Sequence, residues 1–335
     1  MDFIQHDRAL ENYWRGVILF GKNVASYKFA LAHALYETDK SGSDLVTLEA
    51  LALPFSQHLC RHLLHAPKQI TSASSKYLAV CEQFNRGELT LNALLEATVR
   101  DGFNNVIDAF HNVNFAELDK RFFLDERKTH KGIRLTDNFY QLAERQQYQN
   151  LIIETEARWR LVEHAWATGI STNLVAVEYS AEDNLLFSRV NERRVNITSC
   201  RDSINGYQKG SCFYCYRPIS IQSGDEQLAD VDHFIPWAGR SYVPNINGVW
   251  NLVLACKSCN SRKSSRLAEL NYLERLNTRN EFFIQSKLPL HQTIVQQTGK
   301  NPAQRLAFLK ANWQVVKNER AFHTWKPETE AEATF

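Results

Sequence analysis

The sequence predicts a mainly α-helical protein with one small α+β module set into it. Two observations predict this class. Apolar residues recur at three- and four-residue steps through most of the chain, and two Cys-x-x-Cys pairs, Cys212/Cys215 and Cys256/Cys259, bracket a short polar motif with strand-like alternation. At 335 residues the chain is long enough for two modest domains, or for one large domain with an insert. Its 44% hydrophobic and 11% aromatic content suits a packed chain rather than a disordered one. Three segments are expected: a helical regulatory or binding domain over 1–180, the module over 181–286, and a helical extension with its tail over 287–335.

The helices can be placed in order. From Glu11 to about Glu37 one row holds Tyr13, Val17, Phe20, Val24, Tyr27, Leu31 and Leu35, and a second holds Trp14, Ile18, Gly21, Ala25, Ala32 and Tyr36. A helix apolar on two faces belongs at the centre of its domain. Lys22 and Lys28 interrupt it and read as snorkelling surface side chains, with a buried functional lysine as the alternative. Further helices are expected at about Phe55–His65, with Pro54 in its first turn, and at Ser74–Asn85, Thr90–Val99 and Phe103–His111. Gly87 and Gly102 read as stops. The charged stretch Leu118–Arg134 reads as solvated helix and loop. Thr136 or Asp137 would cap a long helix to about Thr168, ended by Gly169. Leu174–Tyr179 is a short strand candidate and Asn184 a turn. Ile197–Tyr207, Ala268–Ser286 and Pro302–Lys317 complete the helices. The polar, acidic tail from Glu328 to Phe335 reads as frayed.

Composition excludes several classes. The longest apolar runs, Val17–Phe20 and Leu252–Ala255, are too short to span a bilayer. The N-terminal stretch carries acids and lacks a basic region before an apolar one, so no signal peptide is read and the cytoplasm is the expected location. Net charge is +2, so any nucleic-acid surface must come from local clustering. Seven cysteines without a secretion signal do not read as a disulfide framework. Cys60, Cys81 and Cys200 are scattered and read as buried free thiols.

The chemistry concentrates between Cys212 and Lys263. Four thiolates from two tight pairs can close one tetrahedral zinc site, and four unrelated core cysteines would not arrive in that spacing. Between the pairs lies Asp230-Val231-Asp232-His233-Phe234-Ile235-Pro236. On a strand the two aspartates share one face. A carboxylate can ligate a hard divalent cation, and the neighbouring imidazole can take a proton from water near neutral pH. Asn251 and Asn260 can ligate through the amide oxygen or clamp through the NH₂. If a helix starts near Cys259, Asn260 and Lys263 share one face while Arg262 and Arg266 share another, suited to phosphate.

In this order (Cys-x-x-Cys, Asp-His-x-x-Pro, then Asn-Leu-x-x-x-Cys-x-x-Cys-Asn-x-x-Lys) the residues resemble the HNH endonuclease family with its ββα-metal fold. The resemblance covers roughly sixty residues. It implies that Cys212, Cys215, Cys256 and Cys259 hold a structural Zn²⁺, and that Asp232 and Asn260 hold the catalytic ion. It also implies His233 as general base and Asn251 as the residue tying down the histidine's loop. Asn260 stands where the family name has its last histidine, a variant suited to Mg²⁺ or Mn²⁺. Separately, the opening Trp-Arg-Gly-Val-Ile-Leu-Phe-Gly-Lys-Asn with Tyr27-Lys28-Phe29-Ala30-Leu31 is similar to N-terminal regions of bacterial phage-defence HNH proteins of the Zorya type II effector kind.

The function expected is therefore metal-dependent hydrolysis of DNA phosphodiesters, with Lys263 or Arg262 adding a positive contact and nicking as the product of a single site. Asp230 reads either as a hydrogen-bonding neighbour of the site or as a solvated strand acid. Lys209, Arg217, Arg240, Lys257, Arg262, Lys263 and Arg266 outnumber the nearby acids, and Arg189, Arg193, Arg194 and Arg201 add a second basic cluster. Such a surface binds double-stranded DNA through its backbone with little sequence preference. Defence-system proteins are possible partners, and membrane insertion is not expected. The rival readings are a zinc-stabilised nucleic-acid-binding module without catalysis, and an interaction protein whose zinc unit is scaffold.

Overall fold

The computed structural model describes residues 4, 8–21, 25–38, 42–72, 75–113, 116–167, 177–180, 185–190, 193–286, 290–320 and 324–335. The chain divides into two compact units, Ala9–Gly169 and Ile170–Phe335 with Met1–Arg8. It is mainly helical with small sheets, as the apolar periodicity requires.

In the first unit the expected helix from Glu11 to Glu37 is two helices, α1 (Leu10–Phe20) and α2 (Tyr27–Glu37). Gly21 breaks it by turning to extended backbone. A Cβ at Gly21 would collide with the Lys28 ammonium and with the Val17 carbonyl. Lys28 is buried rather than snorkelling, and burial lowers its amine to about 8; Lys22 and Val24 lie outside the described residues. Every residue of α1 is buried. Trp14 packs edge-on against Phe122 at 4.9 Å and Phe110 at 5.6 Å. Arg15 reaches Glu154 through both carboxylate oxygens, each at 3.0 Å.

A strand, β1 (Leu45–Thr47), leads into α3 (Leu48–His65). Thr47 caps α3 by accepting from Ala50 N at 3.2 Å, so the helix starts earlier than expected and Pro54 lies inside it. Two helices follow, α4 (Lys76–Asn85), capped by Ser75, and α5 (Leu91–Ala97), capped by Thr90; α5 runs into a π-turn over Thr98–Gly102. Only a single turn, α6 (Val106–Ala109), forms where a helix to His111 was expected, ahead of the short hairpin β2 (Asn112–Val113) and β3 (Ala116–Glu117).

The Leu118–Arg134 segment is not solvated helix and loop. It forms β4 (Phe123–Glu126), the turn α7 (Arg127–His130) and β5 (Gly132–Leu135), and β5 is the middle strand of an antiparallel sheet with β1 and β4. Phe123, Ile133 and Leu135 are buried, and the surrounding charges pair with one another, as Arg134 does with Glu126 at 2.7 Å. Those pairs mask a period-two apolar pattern that is too sparse to read through the charges. The long helix expected from residue 137 is likewise two, α8 (Asp137–Ala143) and α9 (Tyr148–Ala167). Gly169, Asn184 and residues 174–176 of the expected strand lie outside the described residues.

In the second unit β6 (Val177–Ser180), β7 (Leu185–Val190) and β8 (Arg193–Ser199) form an antiparallel sheet that sets Arg189 opposite Arg194. Ser199 caps α10 (Cys200–Gln208). The module proper is the antiparallel pair β9 (Asp230–His233) and β10 (Leu252–Ala255), followed by α11 (Lys257–Lys263). All four residues of β10 are buried, and the Gln208 side chain finishes its free edge, donating to Leu254 O at 2.9 Å and accepting from Leu254 N at 2.7 Å. After β11 (Leu267–Ala268) come α12 (Leu270–Gln285), α13 (Leu290–Thr298), α14 (Pro302–Arg320) and β12 (Thr324–Trp325), which pairs in parallel with β11.

The tail is not frayed. Ala331 N donates to Cys215 O at 2.8 Å, Arg217 donates to Thr329 at 3.0 Å, and Phe335 is buried against Phe213 and Tyr216. Its polar letters hide one apolar anchor, Phe335, and three pairings to arginines (Arg262–Glu328, Arg217–Thr329 and Arg275–Glu330). No helix among the described residues is long and apolar enough to cross a membrane.

Candidate active site and metal centre

The four cysteine Sγ atoms of the two pairs lie within 4.8 Å of one another, with Cys215 and Cys256 3.8 Å apart. A tetrahedral zinc with bonds near 2.3 Å sets sulfurs about 3.8 Å apart, so the residues present fit that ion. The turn that brings Cys212 and Cys215 together is closed by Tyr216 N donating to Cys212 O at 3.0 Å, with Tyr216 at a φ of 59°. Cys256 is at the N-cap position of α11 and Cys259 in its first turn, which brings the second pair to the same point. Among the described residues this is the one group of three or more His, Cys, Asp or Glu side chains placed to hold a metal.

Strand alternation turns Asp230 and Asp232 toward α11. Asp232 is buried and both its carboxylate oxygens have partners. Lys263 Nζ lies 3.2 Å from one oxygen and 3.0 Å from the other, and the Tyr214 hydroxyl donates to the latter at 2.5 Å. Lys263 has no exposed side-chain surface, and its Nζ also donates to the His233 carbonyl at 2.8 Å. The Asn260 Nδ2 donates to Asp230 Oδ2 at 3.0 Å, and both residues are half-buried. A carboxylate beside an amide is a hard-oxygen donor set, of the kind that suits Mg²⁺ or Mn²⁺.

His233 ends β9, and its Nε2 is 2.8 Å from Asn247 Oδ1. An amide oxygen accepts, so Nε2 carries the proton and the basic lone pair sits on Nδ1. Burial lowers the imidazole from its ordinary value, against the hydrogen bond to Asn247 and the charge of Asp232, which raise it. The neutral form needed by a base is thereby favoured. Beyond His233 the chain is pinned by Asn251, wholly buried, whose Oδ1 accepts from Ile235 N at 2.8 Å and whose Nδ2 donates to Ile235 O at 3.0 Å and Ile246 O at 2.9 Å. Asn251 is itself set by a buried arginine. The Arg279 guanidinium gathers the carbonyls of Val249, Trp250 and Leu252, and burial lowers it to about 9.

Sequence reasoning missed Tyr214, Asn247 and Arg279. Tyr214 is one of the two residues inside a Cys-x-x-Cys pair, Asn247 lies in a loop of turn residues, and Arg279 belongs to a distant helix; none has a spacing signal. Several basic residues given to phosphate are occupied: Lys263 is buried on Asp232, and Arg201 and Arg266 hold backbone carbonyls. Arg262 pairs with Glu328 at 2.6 Å and Arg217 holds Thr329. Arg240 lies over the half-exposed Trp237 ring, itself 5.7 Å from the His233 ring.

A strand pair and helix stapled by four thiols, with an Asp-His strand end and an amide facing it, define a ββα hydrolase module of the nuclease class. Residues 212–269 match the HNH endonuclease family, so this segment is an HNH endonuclease module and the chain carries a nuclease. No curated protein and no solved structure matches the chain.

Proposed function

We propose that the protein is a divalent-metal-dependent endonuclease acting on double-stranded DNA, with His233 as its general base. The observation that carries this reading is the orientation of His233, whose Nε2 is committed to Asn247 while Lys263 holds its carbonyl and Asn251 holds the backbone of Phe234 and Ile235 just beyond it. Nδ1 of a neutral imidazole takes the proton of the attacking water. A divalent cation, Mg²⁺ or Mn²⁺, held by a β9 carboxylate and Asn260 would supply charge stabilisation at the scissile phosphate. Asn251 keeps the loop after His233 in register, and Lys263 fixes the carbonyl from beneath. Arg240 and Trp237 offer a cation and an aromatic face beside the base, a combination that suits a nucleic-acid strand.

A monomer with one such site nicks one strand per engagement. The similarity of the N-terminal opening to phage-defence proteins supports a role in anti-phage defence, inside the cytoplasm, with defence-system proteins as partners. The test is a time course on supercoiled plasmid with Mg²⁺ or Mn²⁺, in which nicked product should precede linear. If the His233→Ala protein cuts as fast as the parent, the reading is wrong.

A further inference from the structure

We propose that Trp237 and Tyr242 set the substrate preference of the site. They form an aromatic platform on which a base beside the scissile phosphate stacks once it has left the helix, so that duplex DNA carrying unpaired bases is favoured over fully matched duplex. This rests on the nuclease reading above and names the form of DNA which that site takes.

Exposure is the first observation. Trp237 is 48% exposed and Tyr242 41%, and among the described residues they are the two aromatic side chains left exposed. The other large apolar side chains exposed there are leucines and a valine, scattered over both units. Both exposed aromatics fall within one short loop, and that loop begins beside the base. The centre of the Trp237 ring is 5.7 Å from that of His233.

Rigidity is the second. The loop leaves β9 after His233 and returns at Asn247, and one side chain holds both of its ends: Asn251 accepts from Ile235 N and donates to the carbonyls of Ile235 and Ile246. Asn247, where the loop closes, is the partner of His233 Nε2. Pro236, Val243 and Ile246 are buried, and Gly239 lies so close to α14 that a Cβ there would stand 3.0 Å from a Val316 methyl. Tyr242 N donates to Gly239 O at 2.9 Å, which closes the turn between the two aromatics. The buried residues fix the backbone while Trp237, Arg240 and Tyr242 stay exposed. Side chains presented on a backbone already ordered lose less freedom when they bind.

The third observation is chemical. A matched duplex turns its phosphates outward and keeps its base faces stacked inside, so an exposed ring meets a base face only where a base has come out. Every base has a π-face, and stacking on a ring is therefore tolerant of sequence. Leaving the stack costs least where a base is mismatched or already unpaired, which makes the platform selective for such sites. The Arg240 guanidinium, over the Trp237 ring at 5.4 Å, adds a cation for the neighbouring phosphate.

The experiment uses the full zinc-loaded chain and two DNA duplexes of equal length and flanking sequence, one fully matched and one with a short central bubble. Without added Mg²⁺ or Mn²⁺, fluorescence anisotropy should show the bubble duplex bound at least about fivefold more tightly. Trp237→Ala should abolish that difference and Tyr242→Ala should reduce it, at parent-like zinc content and melting temperature, and Trp237→Phe should keep part of it. With Mg²⁺ or Mn²⁺ added, the parent should cut the bubble duplex with the higher kcat/KM, next to the unpaired bases, and Trp237→Ala should lose that preference. Equal affinity of the parent for the two duplexes overturns the proposal, and so does an undiminished preference in folded Trp237→Ala. A binding preference in a chain that cuts neither duplex leaves the platform standing and overturns the nuclease reading instead.

Discussion

The ammonium of Lys263 lies 2.8 Å from the carbonyl oxygen of His233 and 3.0 Å from the carboxylate of Asp232, with no exposed side-chain surface of its own. A lysine this deep keeps its charge only because a carboxylate meets it. Replacing it with methionine removes the donor to His233 O and leaves the buried Asp232 charge with only the Tyr214 hydroxyl. Lys263→Met should therefore lose about 3–5 kcal/mol of stability in chemical denaturation and most of its kcat. A variant that melts and cuts like the parent would show that Lys263 does not position the base.

Asn251 closes the loop between His233 and Ile246 with three side-chain hydrogen bonds in a fully buried setting. Asn251→Ala leaves two backbone carbonyls and one N–H without partners. Each orphaned group costs roughly 1–3 kcal/mol, so a loss of several kcal/mol is expected on thermal unfolding. Nicking should fall more steeply than binding of plasmid, because the loop aims the base rather than holding DNA.

The four-thiol centre is expected to carry one zinc per chain. Elemental analysis after dialysis should find it in the parent and not in the Cys212→Ser, Cys256→Ser double variant. Strong chelators should lower the melting temperature of the parent, because zinc affinity is folding free energy for a module held by so few elements. Retention of zinc by the double variant would remove the assignment.

Glu328 pairs with Arg262 at 2.6 Å at the surface. The glutamate there competes with any phosphate for the same guanidinium. Glu328→Gln should tighten binding of duplex DNA to the His233→Ala protein and steepen its salt dependence by about one counterion. An unchanged slope would mean that Arg262 does not face DNA.

In the helical unit, acid should be destabilising. Burial, with help from His58 stacked 4.6 Å away, lowers His33 to about 3, against the Glu156 charge that raises it. Burial, with Arg121 and Lys28, lowers His111 to about 3 as well, and its Nε2 accepts from Phe122 N at 3.0 Å. An unfolded histidine titrates near 6.5, so between about pH 6.5 and 3 the unfolded chain binds protons that these folded side chains refuse. Stability is lost as pH falls through that window. His58, lowered mainly by burial, adds in the same direction. Burial lowers His62 too, but its hydrogen bonds to Glu156 and Glu163 prevail and raise it, so it opposes the trend. Melting should therefore drop between about pH 7 and pH 5, and a flat profile would contradict this reading.

How far these features were legible in the sequence depends on how locally each is encoded. The helix at Ser74–Asn85 matched α4 to within two residues because capping and apolar spacing are local. The break at Gly21 was not legible, since it depends on Lys28 packing over the glycine after the chain has turned. The sheet around β5 was hidden for a similar reason: its charges look solvated until Arg134 and Glu126 are seen to neutralise each other across strands. The tail looked frayed because its partners, Cys215, Arg217, Arg262 and Arg275, lie far away in sequence.

The module itself was determined by sequence alone: two Cys-x-x-Cys pairs, an Asp-His strand end and a fixed order of asparagines say which elements must meet, because metal ligation permits few spacings. What the tertiary structure decided is the partner of each side chain. Asp230 and Asp232 are indistinguishable as letters two apart on a strand. Only the packing of Tyr214 and Lys263 against one, and of Asn260 against the other, separates a buried carboxylate held by a hydroxyl and an ammonium from a half-exposed one that accepts from an amide.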